Sequence, residues 1–285
     1  MTYRGIYFIR RIKKSLGAAF RGRFKVVVGY IRYFNAKPNI YDPRDYEILQ
    51  LLMYECGLPL NTYTLNRLLN RTPTLIQFSD GTLYAVMDLE DFYHASMCYE
   101  PQTLTFIQRH LASGGVFVDV GANIGGYTVR AAKRAYVYAF EPEPRNFNLL
   151  RLNIKLNKLQ NNVKSFQVAA GPYLGKVTLA LSNYHGRHSL LRTTIKTTNY
   201  PTIDVDMTPL DLILANEDRI DIIKIDVEGA EPLVLKGARE VLKRTKAVVI
   251  EATYHTSFHQ ASYILSKYSF KPARKLESNI VFVKK

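Results

Sequence analysis

The chain has 285 residues, of which 39 are lysine or arginine, 24 are aspartate or glutamate, and 47% are hydrophobic. This length and composition suit one large domain, or one domain with an extension, and they allow a sizeable core. No apolar run reaches the roughly 18 residues of a transmembrane helix, and the N-terminus lacks the pattern of a cleavable signal peptide. The two cysteines, Cys56 and Cys98, match neither a disulfide framework nor a metal-ligand spacing, so we expect a cytoplasmic location.

Ten of the lysines and arginines lie within residues 1–41, a segment without aspartate or glutamate. Aromatic and β-branched residues are interleaved with these basic residues. The pattern favours a helix that covers a core and exposes a basic face, but a basic amphipathic helix on an anionic membrane surface has the same composition. Contact with nucleic acid is a third interpretation and the least favoured. The membrane interpretation would make the protein peripheral to the membrane.

Two elements are predicted in the first hundred residues. The run D-P-R-D-Y-E-I-L-Q-L-L-M-Y-E-C-G predicts a helix at residues 42–57, capped at its first residue. The run T-L-I-Q-F-S-D-G-T-L-Y-A-V predicts a hairpin that turns at Asp80 and Gly81. We expect residues 1–97 to form a basic extension, acting as a lid, an acceptor-binding region or a membrane-surface region. A principal domain is expected at 98–285.

In the principal domain, apolar strands alternate with helices. Strands are predicted at 116–120, 136–141, 163–170, 222–226 and 247–252, a hairpin-like stretch at 176–181, and helices at 126–134, 144–157 and after Thr208, with Thr208 as N-cap and Pro209 first in the helix. This alternation predicts an α/β fold with a parallel, doubly wound sheet. The two closing strands, Y-S-F-K-P-A-R-K-L and N-I-V-F-V-K-K, are separated by so few residues that they must pair antiparallel.

A glycine-containing loop follows the first strand of this domain, in V-F-V-D-V-G-A-N-I-G-G-Y-T. Glycines at such a turn let the backbone bend sharply and come close to a ligand. Glu141 ends the next strand, twenty residues after Gly121, where a carboxylate can accept hydrogen bonds from both hydroxyls of a ribose. The two strand ends therefore predict a nucleoside site, although the glycines could also serve only to shape the turn.

The loop favours S-adenosylmethionine over a dinucleotide. A dinucleotide loop carries a second glycine where Asn123 stands, and the carboxylate of Asp119 would repel a pyrophosphate. S-adenosylmethionine has a ribose, an adenine and a positively charged amino group, and it has no phosphate. An acid before the glycine suits that amino group.

Several motifs in the same order resemble the FkbM family of S-adenosylmethionine-dependent methyltransferases, over about residues 98–285. They are Y-E-P, F-V-D-V-G-A-N-I-G-G-Y-T, F-E-P-E-P, V-A-A-G, T-P-L-D-L-I, K-I-D-V-E-G-A-E and N-I-V-F-V-K-K. The resemblance implies a Rossmann-like class I methyltransferase, with a seven-stranded, mostly parallel sheet and one antiparallel strand. It also implies O-methylation of a hydroxyl on a sugar, a glycan or another small molecule.

The resemblance also implies a set of cofactor-binding residues. Asp119 and Gly121 would flank the methionine part, Glu141 would bind the ribose, and Glu100 would reach the amino group. The implied set is Glu100, Asp119, Gly121, Ala122, Asn123, Gly125, Tyr127, Thr128, Glu141, Pro142, Ala169, Ala170 and Asp226. Ala169 and Ala170 would close the adenine side.

Charged residues at the ends of the fourth and fifth strands are the candidates for chemistry. Methyl transfer to oxygen requires removal of the hydroxyl proton, and Asp226 or His255 can act as the general base. Alternatively, Asp226 and Glu251 hold a divalent cation that lowers the pKa of the hydroxyl. We favour the metal-free route, in which a cation is not required. Lys224 points to the same face as Asp226 and would either reach towards a carboxylate or orient the acceptor. Glu228 either joins the site or only complements a helix dipole.

Three functions remain open at this stage. The favoured one is a methyltransferase acting on a small-molecule or glycan hydroxyl. A nucleic-acid methyltransferase, RNA included, would use the basic segment, but the N-P-P-Y and D-P-P-Y motifs of base-amine methylation are absent. The third is a catalytically inactive binding module of the same fold. The oligomeric state is not indicated by any feature of the sequence.

Overall fold

The structure is a computed structural model that describes residues 62–182, 188–190 and 201–284. The predicted helix at 42–57 and the basic segment at 1–41 lie outside these residues. Within the described ranges, no helix is both long enough and apolar enough to cross a bilayer.

The described elements alternate between strands and helices over most of the chain. The strands are β1 (Thr74–Gln77), β2 (Leu83–Val86), β3 (Val116–Val120), β4 (Tyr136–Phe140), β5 (Val163–Phe166), β6 (Ala169–Ala170), β7 (Gly175–Ala180), β8 (Thr202–Thr208), β9 (Ile220–Ile225), β10 (Thr245–Glu251), β11 (Phe270–Leu276) and β12 (Asn279–Lys284). The helices are α1 (Thr62–Leu69), α2 (Leu89–Ala95), α3 (Pro101–His110), α4 (Thr128–Ala131), α5 (Pro144–Leu156), α6 (Leu210–Ile213), α7 (Glu231–Lys236), α8 (Arg239–Lys243) and α9 (His255–Ser266).

Seven strands form the central sheet, in the order β11-β12-β10-β9-β3-β4-β5. Every neighbouring pair from β10 through β5 is parallel, whereas β12 is antiparallel to both of its neighbours. The central strands are buried along most of their length because helices cover both faces, and Phe117, Ile223 and Val248 are fully buried. The predicted α/β fold, Rossmann-like with one antiparallel strand, is confirmed.

Two predicted elements differ in the structure. The third strand was expected to run to Ala170, but β5 ends at Phe166, because its partner β4 ends opposite, at Phe140. Ala169 and Ala170 instead pair with β8 in a separate sheet of order β6-β8-β7. Thr208 was expected to cap a helix, but its backbone belongs to that pairing.

The helix after β8 therefore begins later than predicted. Pro209 is its N-cap, and Leu210 is its first residue. The helix predicted at 126–134 is also shorter and spans only α4. The hairpin-like stretch at 176–181 is confirmed as a strand, β7, but its partner is β8.

The described part of the predicted extension packs directly on the central sheet and its helices. β1 and β2 form the predicted hairpin, and Gly81 in its turn has a φ of 77°. The phenol of Tyr84 is fully buried and donates to the carbonyl oxygens of Gly125 and Gly126, at 3.2 Å each. The amide of Asn153 on α5 accepts from the backbone N–H of Ala85 at 2.7 Å. The domain boundary at residue 97 stays a prediction.

Candidate active site

A cleft of about 850 Å³, its open mouth included, lies at the carboxyl ends of β3, β4 and β9. Ligands of open α/β sheets bind at this edge. The predicted site residues that line the cleft are Gly121, Ala122, Asn123, Tyr127, Glu141, Pro142, Ala169, Ala170, Lys224, Asp226 and Glu228. Those not among its lining residues are Glu100, Asp119, Gly125, Thr128, Glu251 and His255. The structure therefore brings most of the predicted residues together and places the rest around them.

The loop after β3 forms one wall of the cleft. Gly121 has a φ of 82°, and a side chain there would overlap the carbonyl oxygen of Asp226. Only glycine lets the ends of β3 and β9 approach this closely. Asn123 also has a positive φ, 49°, and its backbone N–H donates to Oε2 of Glu141 at 2.8 Å. The loop is thereby fixed to the end of β4.

Glu141 is buried at the end of β4 and lines the cleft. Its Oε1 accepts from the backbone N–H of Glu143 at 3.0 Å, and its Oε2 accepts from the backbone N–H of Asn123. Burial nevertheless raises the pKa of Glu141 to about 8. Each carboxylate oxygen keeps a second lone pair, so the group can still accept from a vicinal diol. These features fit the ribose of S-adenosylmethionine.

Asp119 lies behind the loop and is not among the residues that line the cleft. Its predicted place beside the methionine part stays a prediction. Its Oδ2 accepts from the hydroxyl of Thr128 at 2.6 Å. Its Oδ1 is buried and has no hydrogen-bond partner among the described residues. Burial raises the pKa of Asp119 despite the nearby ammonium of Lys224, its register partner on β9. Asp119 and Thr128 thus support the loop from beneath.

An ion pair lies at the end of β9, where the acceptor was predicted. Lys224 is 1% exposed, and its Nζ lies 2.6 Å from Oδ2 of Asp226 and 4.7 Å from the ring centroid of Tyr127. Burial favours the neutral lysine, but the charges of Asp226, Glu100 and Asp119 outweigh it and raise the pKa of Lys224. Burial acts to raise the pKa of Asp226, but Lys224 outweighs burial and holds that pKa below its ordinary value. Both groups are therefore ionised at neutral pH.

Glu100 acts on the cleft through Tyr127. It is the N-cap of α3, with a φ of 44°. Its carboxylate accepts from the hydroxyl of Tyr127 at 2.6 Å, and from the side chains of Ser278 and Asn279 at 2.7 Å each. The carboxylate points towards these three donors, and its predicted contact with the amino group of the cofactor stays a prediction. Glu100 thus links the cleft to the turn between β11 and β12.

Three carboxylates come together where β9 and β10 end. Oxygen atoms of Asp226, Glu228 and Glu251 lie within 4.8 Å of one another. Glu228 accepts from the hydroxyl of Tyr254 at 2.8 Å, and Glu251 accepts from the hydroxyl of Thr253 at 2.6 Å. Burial, together with the charges of Asp226 and Glu228, raises the pKa of Glu251 to about 9. The cluster can share a proton or hold a divalent cation, and Glu228 would add a third ligand to the predicted pair.

His255 is the predicted catalytic residue that the structure does not bring to the cleft. It is the first residue of α9 and is exposed, and its Nε2 lies 3.0 Å from Nε2 of His259. The preceding residue, Tyr254, directs its hydroxyl to Glu228 instead. At the start of α9, Tyr254 rather than His255 therefore contacts a residue that lines the cleft.

His94 lines the cleft and was not predicted from the sequence. Its Nδ1 lies 3.2 Å from the side-chain nitrogen of Asn123, and its ring meets the edge of Tyr99, with centroids 4.7 Å apart. Burial lowers the pKa of His94, so the imidazole is neutral at pH 7. The available signal was its place in Y-H-A-S-M-C-Y-E-P, just before the recognised Y-E-P motif.

Three relatives are named as methyltransferases. Methyltransferase sdnD of Sordaria araneosa is 28% identical over 206 residues, covering 59% of this chain and 77% of that protein. The hexuronic acid methyltransferase AglP of Haloferax volcanii is 25% identical, covering 64% of this chain and 74% of its own length. The 31-O-demethyl-FK506 methyltransferase FkbM of Streptomyces tacrolimicus is 30% identical, covering 50% and 66%.

The model of the methyltransferase FkbM domain matches residues 119–276, which is more than half of the chain. The matched span begins at Asp119 on β3 and ends at Leu276 on β11, so it contains the loop, Glu141, the ion pair and the acidic cluster. Together with the fold, the match implies that S-adenosylmethionine is the methyl donor. The chain belongs to the FkbM methyltransferase family.

Proposed function

We propose that this methyltransferase transfers a methyl group from S-adenosylmethionine to a hydroxyl oxygen of a sugar, a glycan or another small molecule. The observation that carries the proposal is the arrangement of one cleft. Glu141, a buried carboxylate suited to a ribose, and the ionised pair of Lys224 and Asp226 line the same cavity. One end is suited to the nucleoside, and the other offers charged groups to an acceptor.

At the nucleoside end, the residues present fit the donor. The backbone turn at Gly121 and Asn123 lets the donor come close to the loop without meeting a side chain of Gly121. Glu141 would accept hydrogen bonds from the ribose hydroxyls. Ala169 and Ala170 add small apolar surface beside Pro142, which suits an adenine ring. When bound, S-adenosylmethionine supplies an electrophilic methyl carbon on a sulfonium.

At the acceptor end, Asp226 would orient the hydroxyl. Its carboxylate is ionised and is held in place by Lys224, so it can accept a hydrogen bond from the acceptor without moving. Holding the oxygen in line with the methyl carbon is the main contribution that a protein makes to such a displacement. A divalent cation is not required, because the ammonium of Lys224 already supplies positive charge inside the acidic cluster.

The relatives support oxygen as the accepting atom. One is named for a hexuronic acid, which is a sugar, and another for the 31-O position of FK506. At 25% and 30% identity they favour an oxygen acceptor without specifying which molecule carries it.

The test uses S-adenosylmethionine with a labelled methyl group. It measures transfer of that label to a panel of simple glycosides and polyols. We expect a product with a new methyl ether, identified by mass and by NMR. Asp226→Asn should lower turnover by about 100-fold and leave S-adenosylhomocysteine binding within a few-fold. Asp206→Asn, at an exposed pair with Lys176 on the other sheet, is the matched control and should be active. A product methylated on nitrogen or carbon, or full activity of Asp226→Asn, would contradict the proposal.

A further inference from the structure

We propose that His94, oriented by Asn123, is the general base that takes the proton of the acceptor hydroxyl. This inference rests on the proposed O-methyl transfer and names the group that completes it. His94 lies on α2, before the first residue that the family model matches, so its role does not follow from family membership.

Helix α2 is held rigidly against the cleft. Arg145 on α5 bonds to the carboxylates of Asp88 and Asp91, at 3.0 and 2.8 Å, and both carboxylates are buried. At the other end of the helix, the carbonyl oxygen of His94 lies where a side chain on Gly126 would be, 2.5 Å from the position of its Cβ. The helix that carries the imidazole is therefore fixed at both ends, which limits where the ring can lie.

The contact with Asn123 selects the protonation of the imidazole. The amide nitrogen of Asn123 lies 3.2 Å from Nδ1 of His94, whereas its Oδ1 is buried without a hydrogen-bond partner in the part of the chain that the structure describes. A 180° rotation of the Asn123 side-chain amide exchanges Nδ2 and Oδ1 and occupies the same volume. Oδ1 then accepts from an Nδ1–H, and Nε2 keeps its lone pair. The amide nitrogen then takes the former place of Oδ1. We assign this orientation because it leaves Nε2 of the cleft-lining imidazole with the lone pair that a base needs.

The carboxylates that line the cleft are already engaged by other groups. Asp226 is paired with Lys224, which lowers its pKa and hence its basicity. Glu228 accepts from Tyr254, and Glu141 accepts two backbone N–H groups. The imidazole of His94 is neutral at pH 7, since burial outweighs the opposing charges of Asp91, Asp226, Asp88 and Glu100 and lowers its pKa. A neutral imidazole is the commonest general base in enzymes.

The step balances without another reactant. The acceptor oxygen forms a bond to the methyl carbon, and the carbon–sulfur bond breaks with both electrons left on sulfur. The hydroxyl proton passes to Nε2 of His94, which becomes an imidazolium. Solvent then takes that proton and restores the neutral ring.

The first test reads the tautomer and needs no acceptor. Protein labelled with ¹⁵N-histidine is saturated with S-adenosylhomocysteine, and long-range ¹H–¹⁵N spectra are compared with those of His94→Gln to assign one of the six histidines. We expect a ring protonated at Nδ1, with Nε2 unprotonated at pH 7. In Asn123→Ala this tautomer preference should disappear. A ring protonated at Nε2 in the wild-type protein would overturn the proposal.

The second test measures turnover on the glycoside panel. His94→Gln should lower kcat by about 100-fold or more, and S-adenosylhomocysteine should bind within a few-fold of wild type. His259→Gln, an exposed histidine on α9, is the matched control. Turnover by His94→Gln within about threefold of wild type would overturn the role of His94 and leave the proposed function standing. A wild-type protein that binds S-adenosylhomocysteine but methylates no panel member counts against the proposed function, and the tautomer experiment then decides the role of His94 alone.

Discussion

Lys224 and Asp226 form a buried ion pair within one strand end, with Nζ 2.6 Å from Oδ2. The two residues are separated by one position, so both point to the same face of the sheet. The pair explains why a lysine can stand in β9, a strand whose residues are all buried. Its charge is balanced by the carboxylate that is predicted to face the acceptor.

Replacing Lys224 by methionine tests this pair directly. The variant leaves Asp226 without its cation, and the free energy of unfolding should fall by about 3–5 kcal/mol, as for other buried pairs that lose one partner. Lys246→Met is the matched control, since Lys246 binds Asp221 at 2.7 Å but is 56% exposed. Its cost should stay below about 1 kcal/mol. Urea unfolding of both variants measures the free energy of unfolding. Equal losses in the two variants would show that the buried pair contributes no more than the exposed pair.

Gly126→Ala tests the contact between the loop and α2. The added methyl would lie 2.5 Å from the carbonyl oxygen of His94, so the helix or the loop must move. We expect weaker S-adenosylhomocysteine binding and a lower melting temperature. Gly175→Ala, whose added methyl would meet only the ring of Tyr173 at 3.4 Å, should leave both unchanged. Normal binding by Gly126→Ala would show that this contact does not shape the cleft.

The raised pKa of Glu251 makes stability depend on pH. Its pKa is about 9 because of burial and the charges of Asp226 and Glu228, so the folded protein holds a proton that the unfolded chain releases above about pH 4.5. The resulting stabilisation is complete below that pH and is lost progressively as the pH rises to about 9. Glu251→Gln should therefore reduce by about one the number of protons linked to unfolding between pH 6 and 8. Urea denaturation at several pH values in this range measures how the free energy of unfolding depends on pH. The same pH dependence in Glu251→Gln and in the wild type would contradict the raised pKa of Glu251.

The turn between β11 and β12 is predicted to stabilise α3. The carboxylate of Glu277 accepts from the backbone N–H groups of Gln102 and Thr103, at 2.6 and 3.2 Å. Glu277→Ala should cost about 1 kcal/mol, as loss of a helix cap does, and should speed hydrogen exchange at those two amides. Glu240→Ala, which removes only an exposed pair with Lys243, is the control. Unchanged exchange in Glu277→Ala would argue against the cap.

Much of the fold could be predicted from local patterns. The runs V-F-V-D-V and I-I-K-I-D carry acids at or next to their last position, Asp119 and Asp226, and parallel strands necessarily bring those ends together. The position of Glu141 followed from the same rule. Strand ends that depend on a partner were harder to predict, and Phe166 ends β5 only because β4 stops opposite it.

The two histidines show why the acceptor end was harder to predict. His255 follows a strand that ends near the cleft, yet the start of α9 turns it to solvent beside His259. His94 reaches the cleft through the packing of α2 on Arg145 and Gly126, which are distant in sequence. Contacts of this range leave no periodic or local pattern around the histidine itself.

The most direct test of the account is calorimetric titration of S-adenosylhomocysteine into the wild-type protein and into Glu141→Gln. The experiment is run at pH 7 in two buffers that differ in ionisation enthalpy. Because burial raises the pKa of Glu141 to about 8, and hydrogen bonds from a ribose favour its ionised form, binding should release a proton. We expect the wild type to bind with a Kd on the order of micromolar and to release a proton. Glu141→Gln should bind at least about tenfold more weakly and release no proton. Absence of binding, or equal affinity and proton release in both proteins, would contradict this expectation.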